Sequence, residues 1–342
     1  MFGIIPVSRR FTSAVGVDMG TGNTRVHVRG RGIVLNEPSV VAVGTTDRVV
    51  KAVGLDAKRM LGRTPGTLAA IRPLRDGAIA DVTLAEEMLR RFLRRAIRRW
   101  HRAAWVQVVV AVPTGLTALE RRAIESSAAA AGAREVRTVP EPVAAAIGMG
   151  LSVETAEGHV VVDVGGGTTQ IAVIALGSIL SGASIRVGGG RLDQAIAAHI
   201  RRHYGLVIGE QTAEQVKIRL GAAGDGEEAR TMTVSGRDLV SGLPKSIEVD
   251  SGDVREAIRE PVQQIVDAVI RALEKSPPEL AADIVDRGIV LAGGSAMLGG
   301  LDRLIARAAG VPVRVAEDPM TCVVRGAARI VEDFERYRRL GD

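Results

Sequence analysis

The apolar and polar positions of the chain repeat one layout twice. In both Ala14–Val28 and Val160–Val173, a short apolar run ends in an aspartate, a glycine turn with threonine follows, and an apolar alternation resumes. Runs of β-branched residues predict strands, and glycines let the chain turn tightly between them. The matching positions are Asp18 with Asp163, Gly20 with Gly165, and Gly22 with Gly167. Their constant offset predicts an internal duplication, with one β-hairpin in each of two similar lobes.

Strand patterns and helix patterns alternate along the rest of the chain. The predicted strands include Val106–Val112, Val136–Val139, Ile171–Ala175, Ser184–Val187, Thr231–Val234 and Gly288–Ala292. The predicted helices include Leu55–Arg63, Ala118–Gly132, Val143–Met149, Leu192–Tyr204, Ala213–Leu220, Ser251–Glu274 (one helix or two) and Leu301–Ala309. Pro73–Ile79 is predicted to be a loop. The alternation predicts an α/β fold.

The segment Leu84–His101 has a strong helical period. Apolar residues from Met88 to Trp100 recur at three- and four-residue spacings, and arginines fill the opposite face. This pattern predicts a helix that packs on a core through one face. Two interpretations of the basic face stay open. It is either solvated or, together with Trp100 and Trp105, part of a membrane interface that binds anionic lipid.

The amino-acid composition excludes several structural and functional classes for this chain. The 342 residues are 46% hydrophobic, which is enough for two cores, and only 2% aromatic, which argues against a nucleic-acid surface built on stacked rings. A single cysteine, Cys322, excludes an intramolecular disulfide. His199 and His203 have the i, i+4 spacing of metal ligands, but we expect the pair to lack a nearby acidic partner, so solvated helix positions are favoured.

The charge and the N-terminus point towards an anionic partner. The net charge of +6 leaves nucleic acid, nucleotide and membrane surface open. Met1–Phe11 carries Phe2, Ile4 and Ile5 ahead of its arginines, the reverse of a signal peptide, and it is too short to span a bilayer. An interfacial anchor, a frayed tail and an extra edge strand are the interpretations left open.

The glycine turns indicate phosphate binding. Backbone amides of such turns bind phosphate oxygens, and an aspartate at the strand end can hold hydrated Mg²⁺. The pattern is not a Walker loop, because no lysine follows the glycines. Glu141 lies where a strand gives way to a helix, which suits either a catalytic carboxylate or a partner of the helix dipole. Glu214 and Lys217 are spaced as an i, i+3 ion pair.

Eight motifs resemble the MreB family, the bacterial actin homologues of the actin, chaperone and sugar-kinase superfamily. They are Gly32–Ala42, Gly115–Ala123, Glu141–Gly148, Val161–Thr169, Ser184–Gly189, Gly236–Lys245, Pro277–Gly294 and Ala316–Pro319. The resemblance implies an actin-like two-lobed α/β fold, in which duplicated ribonuclease-H-like domains with small inserted subdomains surround a nucleotide cleft. The implied lobes are 1–146 plus 318–342, with a small subdomain at about 33–78, and 147–317, with a small subdomain at about 182–243.

The resemblance also implies the roles of individual residues toward ATP and Mg²⁺. Glu141 would activate the attacking water, helped by Thr168 or Thr169, while Asp18 and Asp163 would hold the metal through water. The implied nucleotide-binding set is Asp18, Gly20, Thr21, Gly22, Asn23, Asp163, Gly165, Gly166, Gly167, Thr168, Glu214, Gln215, Val216, Lys217, Gly293, Gly294, Ser295, Ala296 and Met297.

The function implied by the resemblance is a cytoskeletal filament. The chain would polymerise with itself into paired protofilaments in the cytoplasm, at the inner face of the cell membrane. There it would organise peptidoglycan synthesis and cell shape with membrane proteins of cell-wall elongation, without direct nucleic-acid contact. The implied membrane contacts are Phe2, Ile4, Ile5, Trp100 and Trp105.

Three positions depart from the family pattern. Gln170 stands where glutamate is expected, Arg25 replaces an apolar residue, and Gly190-Arg191 replaces an acidic one. Asp18, Glu141 and Asp163 are all present, so we predict slow ATP hydrolysis and not its absence. A nucleotide-gated scaffold with little turnover and a plasmid-segregating filament stay as alternatives. A sugar kinase would need a sugar-binding insertion and a chaperone a peptide-binding domain, and neither is found in the sequence.

Overall fold

The fold is described from a computed structural model, which describes residues 12–61, 66–75, 77–97, 105–224 and 228–337. The chain divides into two compact units. Unit 1 comprises Met1–Leu151 and Thr321–Asp342, and unit 2 comprises Ser152–Met320. The chain therefore leaves unit 1 once and returns to it near its C-terminal end.

Unit 1 is built on a five-stranded sheet. Its strands are β1 (Thr12–Met19), β2 (Asn23–Val28), β3 (Gly32–Pro38), β9 (Trp105–Val112) and β10 (Glu135–Pro140), in the order β10-β9-β1-β2-β3. β1, β2 and β3 form an antiparallel meander, whereas β1, β9 and β10 run parallel. Two smaller sheets consist of β4 (Val41–Gly44), β5 (Val50–Val53) and β6 (Leu68–Ile71), and of β7 (Leu74–Arg75) with β8 (Ala78–Ile79).

The helices of unit 1 are α1 (Leu55–Met60), α2 (Val82–Ile97), α3 (Ala118–Ala130), α4 (Glu141–Gly148) and α10 (Cys322–Glu332). α2 buries the predicted apolar face, which consists of Leu84, Ala85, Met88, Leu89, Phe92, Leu93 and Ala96. Its basic face is only partly solvated. Arg91 donates to the Val50 carbonyl at 3.0 Å, and Arg95 donates to Glu37 at 3.0 Å. These arginines therefore tie α2 to β5 and β3.

Unit 2 repeats the sheet topology of unit 1. Its large sheet has the order β13-β12-β11-β17-β18 and consists of β11 (His159–Val164), β12 (Thr169–Ala175), β13 (Ser178–Ile185), β17 (Ile289–Ala292) and β18 (Val313–Val315). Three strands again form an antiparallel meander, and two more follow in parallel. This repeat confirms the internal duplication predicted from the two hairpins.

A small sheet and a layer of helices complete unit 2. The sheet consists of β14 (Leu206–Val207), β15 (Thr231–Asp238) and β16 (Pro244–Asp250). The helices are α5 (Gly189–Tyr204), α6 (Glu210–Leu220), α7 (Ser251–Glu274), α8 (Ala281–Arg287) and α9 (Leu301–Ala309). The core lies between the large sheet and α5 and α7, where Ile196, Ile200, Ile258 and Ile265 are buried. Every helix in the described ranges is too short or too polar to span a bilayer.

Some elements differ from the prediction. Pro73–Ile79 is not simply a loop, because β7 and β8 pair within it. The strand predicted at Ser184–Val187 spans Ser178–Ile185, and it was hidden because its alternate residues are small or exposed. β16 was not predicted, since most of its side chains are exposed. α7 runs without a break through Pro261, which is buried with the apolar face of the helix.

Candidate functional site

The first glycine turn lies between β1 and β2 in unit 1. The Ser39 hydroxyl donates to the Gly20 carbonyl at 2.6 Å, and the Ser39 amide donates to the Gly22 carbonyl at 3.0 Å. The buried Thr24 and Ser39 hydroxyls lie 2.9 Å apart. Ser39 therefore fixes the shape of the turn that includes Thr21. Sequence reasoning did not assign Ser39 a role, although a serine within the apolar run of Gly32–Ala42 was the available signal.

Asp18, the predicted metal-binding residue of unit 1, already has a cationic partner. Its Oδ2 atom lies 3.1 Å from Nη1 of Arg25, which is directly opposite on β2. Burial raises the pKa of the Asp18 carboxyl above its ordinary value, and the charge and hydrogen bond of Arg25 act in the opposite direction. The replacement noted at Arg25 thus acts on a predicted metal ligand.

Glu141 is the first residue of α4 and is buried. It follows β10, which runs parallel to β9, and β9 runs parallel to β1. Asp18 and Glu141 therefore lie at the same carboxyl edge of one sheet, with one strand between theirs. Two strand spacings amount to roughly 9.5 Å. This spacing separates the two strands whose ends carry Asp18 and Glu141.

The second hairpin, Gly165–Thr168 in unit 2, is held against the start of α5. The Gly165 amide donates to the Thr168 carbonyl at 2.8 Å and closes the turn. The Gly189 amide donates to the Gly165 carbonyl at 3.0 Å, and the Gly190 amide to the Gly166 carbonyl at 2.7 Å. An added methyl group on Gly188 would lie 2.7 Å from the Gly165 carbonyl oxygen. The glycines are therefore needed for this close approach.

The two adjacent threonines have different surroundings. The Thr169 side chain is 0% exposed, and its hydroxyl donates to the Val187 carbonyl at 2.7 Å. Thr168 is 7% exposed and lies in the turn itself. The geometry favours Thr168 of the two as a ligand-contacting residue. The next residue, Gln170, is buried and directly opposite Asp163 in the strand pairing.

Lys217 and Ser295 converge on the same hairpin from distant parts of the chain. Nζ of Lys217 donates to the Gly189 carbonyl at 3.0 Å, and the Ser295 hydroxyl donates to the Gly165 carbonyl at 3.2 Å. Lys217 also forms an ion pair with Asp193 on α5 at 2.8 Å, a partner that the sequence spacing did not indicate. Burial raises the pKa of Asp193, and Lys217 acts in the opposite direction.

Other predicted nucleotide-binding residues surround this point. Gly293 has a positive φ of 84°, and an added methyl group there would collide with the Asp163 carboxylate and the Val164 backbone. Val216 and Ala296 are buried, so their side chains belong to the core, whereas Met297 is exposed. Glu214 and Gln215 lie on α6, on the same helix as Lys217. Unit 2 thus brings together one hairpin, one lysine and the Gly293–Met297 turn.

The predicted membrane contacts are mostly outside the described residues. Phe2, Ile4, Ile5 and Trp100 all lie outside those ranges. Trp105 begins β9, its side chain is 47% exposed, and the Arg134 guanidinium lies 6.0 Å from its ring centroid. An exposed indole beside an arginine is compatible with solvent and with a lipid headgroup layer.

The comparison with known families agrees with these features. The family model described as "MreB/Mbl protein" matches residues 12–339. The chain belongs to the MreB/Mbl family. It is 51% identical to the cell shape-determining protein MreB of Escherichia coli (strain K12), over 96% of this chain and 95% of that protein. It is 45% identical to the cell shape-determining protein Mbl of Bacillus subtilis (strain 168), over 95% of this chain and 98% of that protein.

A solved MreB structure shows the same fold. The crystal structure of MreB5 of Spiroplasma citri bound to ADP matches with a TM-score of 0.89 and 35% identity, over 96% of this chain and 99% of that one. A second structure of the same MreB is bound to AMPPNP and matches with a TM-score of 0.88. The actin-like α/β fold predicted from the sequence motifs is thereby confirmed.

Proposed function

We propose that this MreB/Mbl family member binds ATP with Mg²⁺ and polymerises into filaments that organise cell-wall synthesis and cell shape. The observation that carries the proposal is the convergence of the Gly165–Thr168 hairpin, the start of α5, Lys217 and Ser295 in unit 2. The MreB5 structures bound to ADP and AMPPNP support a nucleotide as the ligand. Glycine turns of this kind bind phosphate through their amides.

The residues fit ATP and Mg²⁺ by their chemistry. Carboxylate oxygens are the ligands that Mg²⁺ prefers, and Asp163 supplies them beside the hairpin. Bound Mg²⁺ would neutralise charge on the phosphates. In our proposal both hairpins bind phosphates, Asp18 and Asp163 hold the metal through water, and Glu214, Gln215, Lys217 and the Gly293–Met297 turn bind the nucleoside.

We propose that hydrolysis is slow. Glu141 would act as the base toward the attacking water, and Thr168 would help to hold that water. The neutral Gln170 side chain lies opposite Asp163, where the family pattern has a carboxylate. The Arg25 ion pair further reduces the negative charge at Asp18. Both features lower the local negative charge on which water activation and metal binding depend.

An exposed apolar tip on the small sheet of unit 2 supports self-association. Leu239, Val240 and Leu243 are 46%, 97% and 64% exposed. The connection is ordered by Asp238, whose Oδ1 accepts hydrogen bonds from the Val240 and Ser241 amides at 3.0 and 2.8 Å. A preformed apolar tip of this kind indicates a protein contact. A second copy of the chain is the partner that we propose.

The cellular placement is part of the proposal. We propose a cytoplasmic filament at the inner face of the membrane, bound to anionic lipid through Phe2, Ile4, Ile5, Trp100 and Trp105 and to membrane proteins of cell-wall elongation. The net charge of +6 and the exposed Trp105 support attraction to anionic headgroups. No direct nucleic-acid partner is proposed.

Sedimentation of the purified full-length chain tests this function. We expect pelleting with ATP and Mg²⁺, more of it with anionic than with zwitterionic liposomes, and none without nucleotide. Pelleting with ATP that does not depend on lipid would favour a plasmid-segregating filament. Pelleting without any phosphate release would favour a nucleotide-gated scaffold. Failure to pellet under every nucleotide condition would overturn the filament proposal.

A further inference from the structure

Two histidines of α5 lie beside acidic residues of α7. The His199 and His203 rings stack with centroids 4.1 Å apart and an interplanar angle of 22°. The expectation that this pair lacks an acidic partner is wrong, because α7 places Glu256 and Asp253 next to it. His199 is also buried and not solvated. The sequence did not reveal the contact, since α5 and α7 are far apart along the chain and meet only in the folded unit.

The cluster has the donor set of a transition-metal site. One nitrogen of each histidine and one carboxylate oxygen of Glu256 lie within 4.8 Å of one another. In a tetrahedral zinc site, metal–ligand bonds of 2.0–2.1 Å place neighbouring donor atoms about 3.3 Å apart. His203 and Glu256 are exposed and can rotate inward, while buried His199 provides a fixed point. Two imidazoles and one carboxylate suit Zn²⁺ and similar divalent ions.

Asp253 provides an oriented carboxylate next to the buried histidine. Its Oδ1 atom lies 3.8 Å from Nε2 of His199, and its Oδ2 atom accepts a hydrogen bond from the Tyr204 hydroxyl at 2.5 Å. The capping box that Asp253 forms with Asp250 fixes it at the start of α7. A carboxylate this close to the histidine adds negative charge, which favours a bound cation.

Some of the surrounding charges favour cation binding and others oppose it. His203 lies in the last turn of α5, where the helix end carries a partial negative charge that favours cations. Arg201 and Arg202 on α5 and Arg259 on α7 are exposed positive charges near the cluster and oppose cation binding. Water and salt screen such exposed charges, whereas ligand bonds to the metal are short and direct.

We propose that His199, His203 and Glu256 form a binding site for Zn²⁺ or a similar divalent transition-metal ion. The ion would join α5 to α7 within unit 2 and would add a link to a contact that already includes side-chain packing and the Tyr204–Asp253 hydrogen bond. The site is separate from the glycine hairpin and does not depend on the proposed nucleotide function.

Calorimetric titration of metal-free full-length protein with Zn²⁺ tests the site. We expect one equivalent to bind to the unchanged chain. The exposed positions allow variants that preserve the fold, and we expect His203→Ala and Glu256→Gln each to weaken this binding at least about tenfold. Glu260→Gln is the matched control, because Glu260 is an exposed glutamate about one turn further along α7.

Thermal unfolding provides a second measurement. A ligand that binds only the folded state raises the unfolding midpoint, so Zn²⁺ should stabilise the unchanged chain and Glu260→Gln but not His203→Ala. Equal Zn²⁺ affinity in the unchanged chain, His203→Ala and Glu256→Gln would overturn the proposal. The absence of any stoichiometric Zn²⁺ binding would also overturn it.

Discussion

Nη1 of Arg25 lies 3.1 Å from Oδ2 of Asp18, across the first hairpin of unit 1. Both side chains are largely buried, at 12% and 8% exposure. The carboxylate that we propose to hold hydrated Mg²⁺ is thus paired with a positive charge that belongs to the protein itself. Under the proposed function, this contact would let the chain bind nucleotide with less dependence on the metal.

Arg25→Leu should increase the dependence of ATP binding on Mg²⁺. The substitution frees the Asp18 carboxylate, so ATP affinity should fall in EDTA and be restored by Mg²⁺. We expect the ratio of the two affinities to rise by about tenfold, or roughly 1.4 kcal/mol. Fluorescent-nucleotide titration with Mg²⁺ and with EDTA measures it.

Arg25→Lys is the control for this prediction, since it retains the charge near Asp18. Loss of one member of a buried ion pair also destabilises the fold, so Arg25→Leu should unfold at a lower temperature than Arg25→Lys. If the ratio of the ATP affinity in Mg²⁺ to the ATP affinity in EDTA is unchanged in Arg25→Leu, the Asp18 contact has no influence on the metal.

Gly188→Ala should disrupt the second hairpin. The added methyl group would lie 2.7 Å from the Gly165 carbonyl oxygen and 2.8 Å from the Thr168 amide nitrogen, so the hairpin must shift. We expect nucleotide affinity to fall at least tenfold, with a stability loss of about 1–3 kcal/mol. Gly209→Ala is the matched control, because nothing lies within 4 Å of its added methyl group. Equal nucleotide affinity in the two variants would contradict the assigned site.

Glu141→Gln should separate nucleotide binding from hydrolysis. The amide has nearly the same shape as the carboxylate but cannot accept a proton from water, so phosphate release should fall by about 100-fold or to background. Sedimentation with ATP should persist, because the phosphate-binding turns are unchanged. A phosphate-release assay during polymerisation measures the effect. Unchanged release would remove Glu141 from the mechanism.

Protonation of His159 should lower the stability of unit 2 in mild acid. Burial, followed by the charge of Arg287, lowers the pKa of this histidine below 6.5. The unfolded chain therefore binds the proton more readily than the folded chain. The stability that neutral His159 contributes is present above pH 6.5 and is lost as the pH falls from 6.5 toward the folded-state pKa. His159→Val should flatten the pH dependence of the unfolding free energy by at most about 1.4 kcal/mol per pH unit.

Urea unfolding from pH 8 to pH 5.5 measures this effect. The pKa of His27 in unit 1 is also lowered by burial, so its contribution should remain in the His159→Val variant. An unfolding free energy with the same pH dependence in His159→Val and the unchanged chain would show that His159 has no such role.

Val240→Asp should weaken polymerisation. Val240 is 97% exposed at the tip between β15 and β16, and a charge there would have to be desolvated in a contact with another copy. We expect the critical concentration for sedimentation with ATP to rise about tenfold. Val285→Asp on α8 is the control, because it places the same charge on another exposed apolar position of unit 2. A critical concentration that rises equally in both variants would indicate a general charge effect.

The sequence predicted the central parts of the fold well. The large sheets are built from β-branched runs such as those around Val108 and Val161, whose pattern is local. The two hairpins were recognisable because aspartate, glycine and threonine occur in a fixed order along one short stretch. Local order is information that a single sequence contains directly.

Contacts between distant elements could not be predicted in the same way. The partner of Lys217 is Asp193 because α5 and α6 pack side by side, whereas the i, i+3 spacing had pointed to Glu214. Ser39 directly follows β3, and it contacts the first turn only because the folded chain returns to that turn after β3. β16 was missed because most of its side chains face solvent, so no apolar alternation marks it.

The return of α10 to unit 1 has a consequence for synthesis on the ribosome. Gly148 of α4 and Gly326 of α10 lack side chains where the two helices meet, and Gly16 of β1 lies against the backbone of Ala328. The face of β1 and α4 against which α10 packs therefore stays uncovered until residues translated after all of unit 2 have emerged. Unit 2 is continuous in sequence and can complete its core first. The nascent strands of unit 1 therefore expose apolar surface during that interval, and exposed apolar surface makes a folding intermediate prone to aggregate.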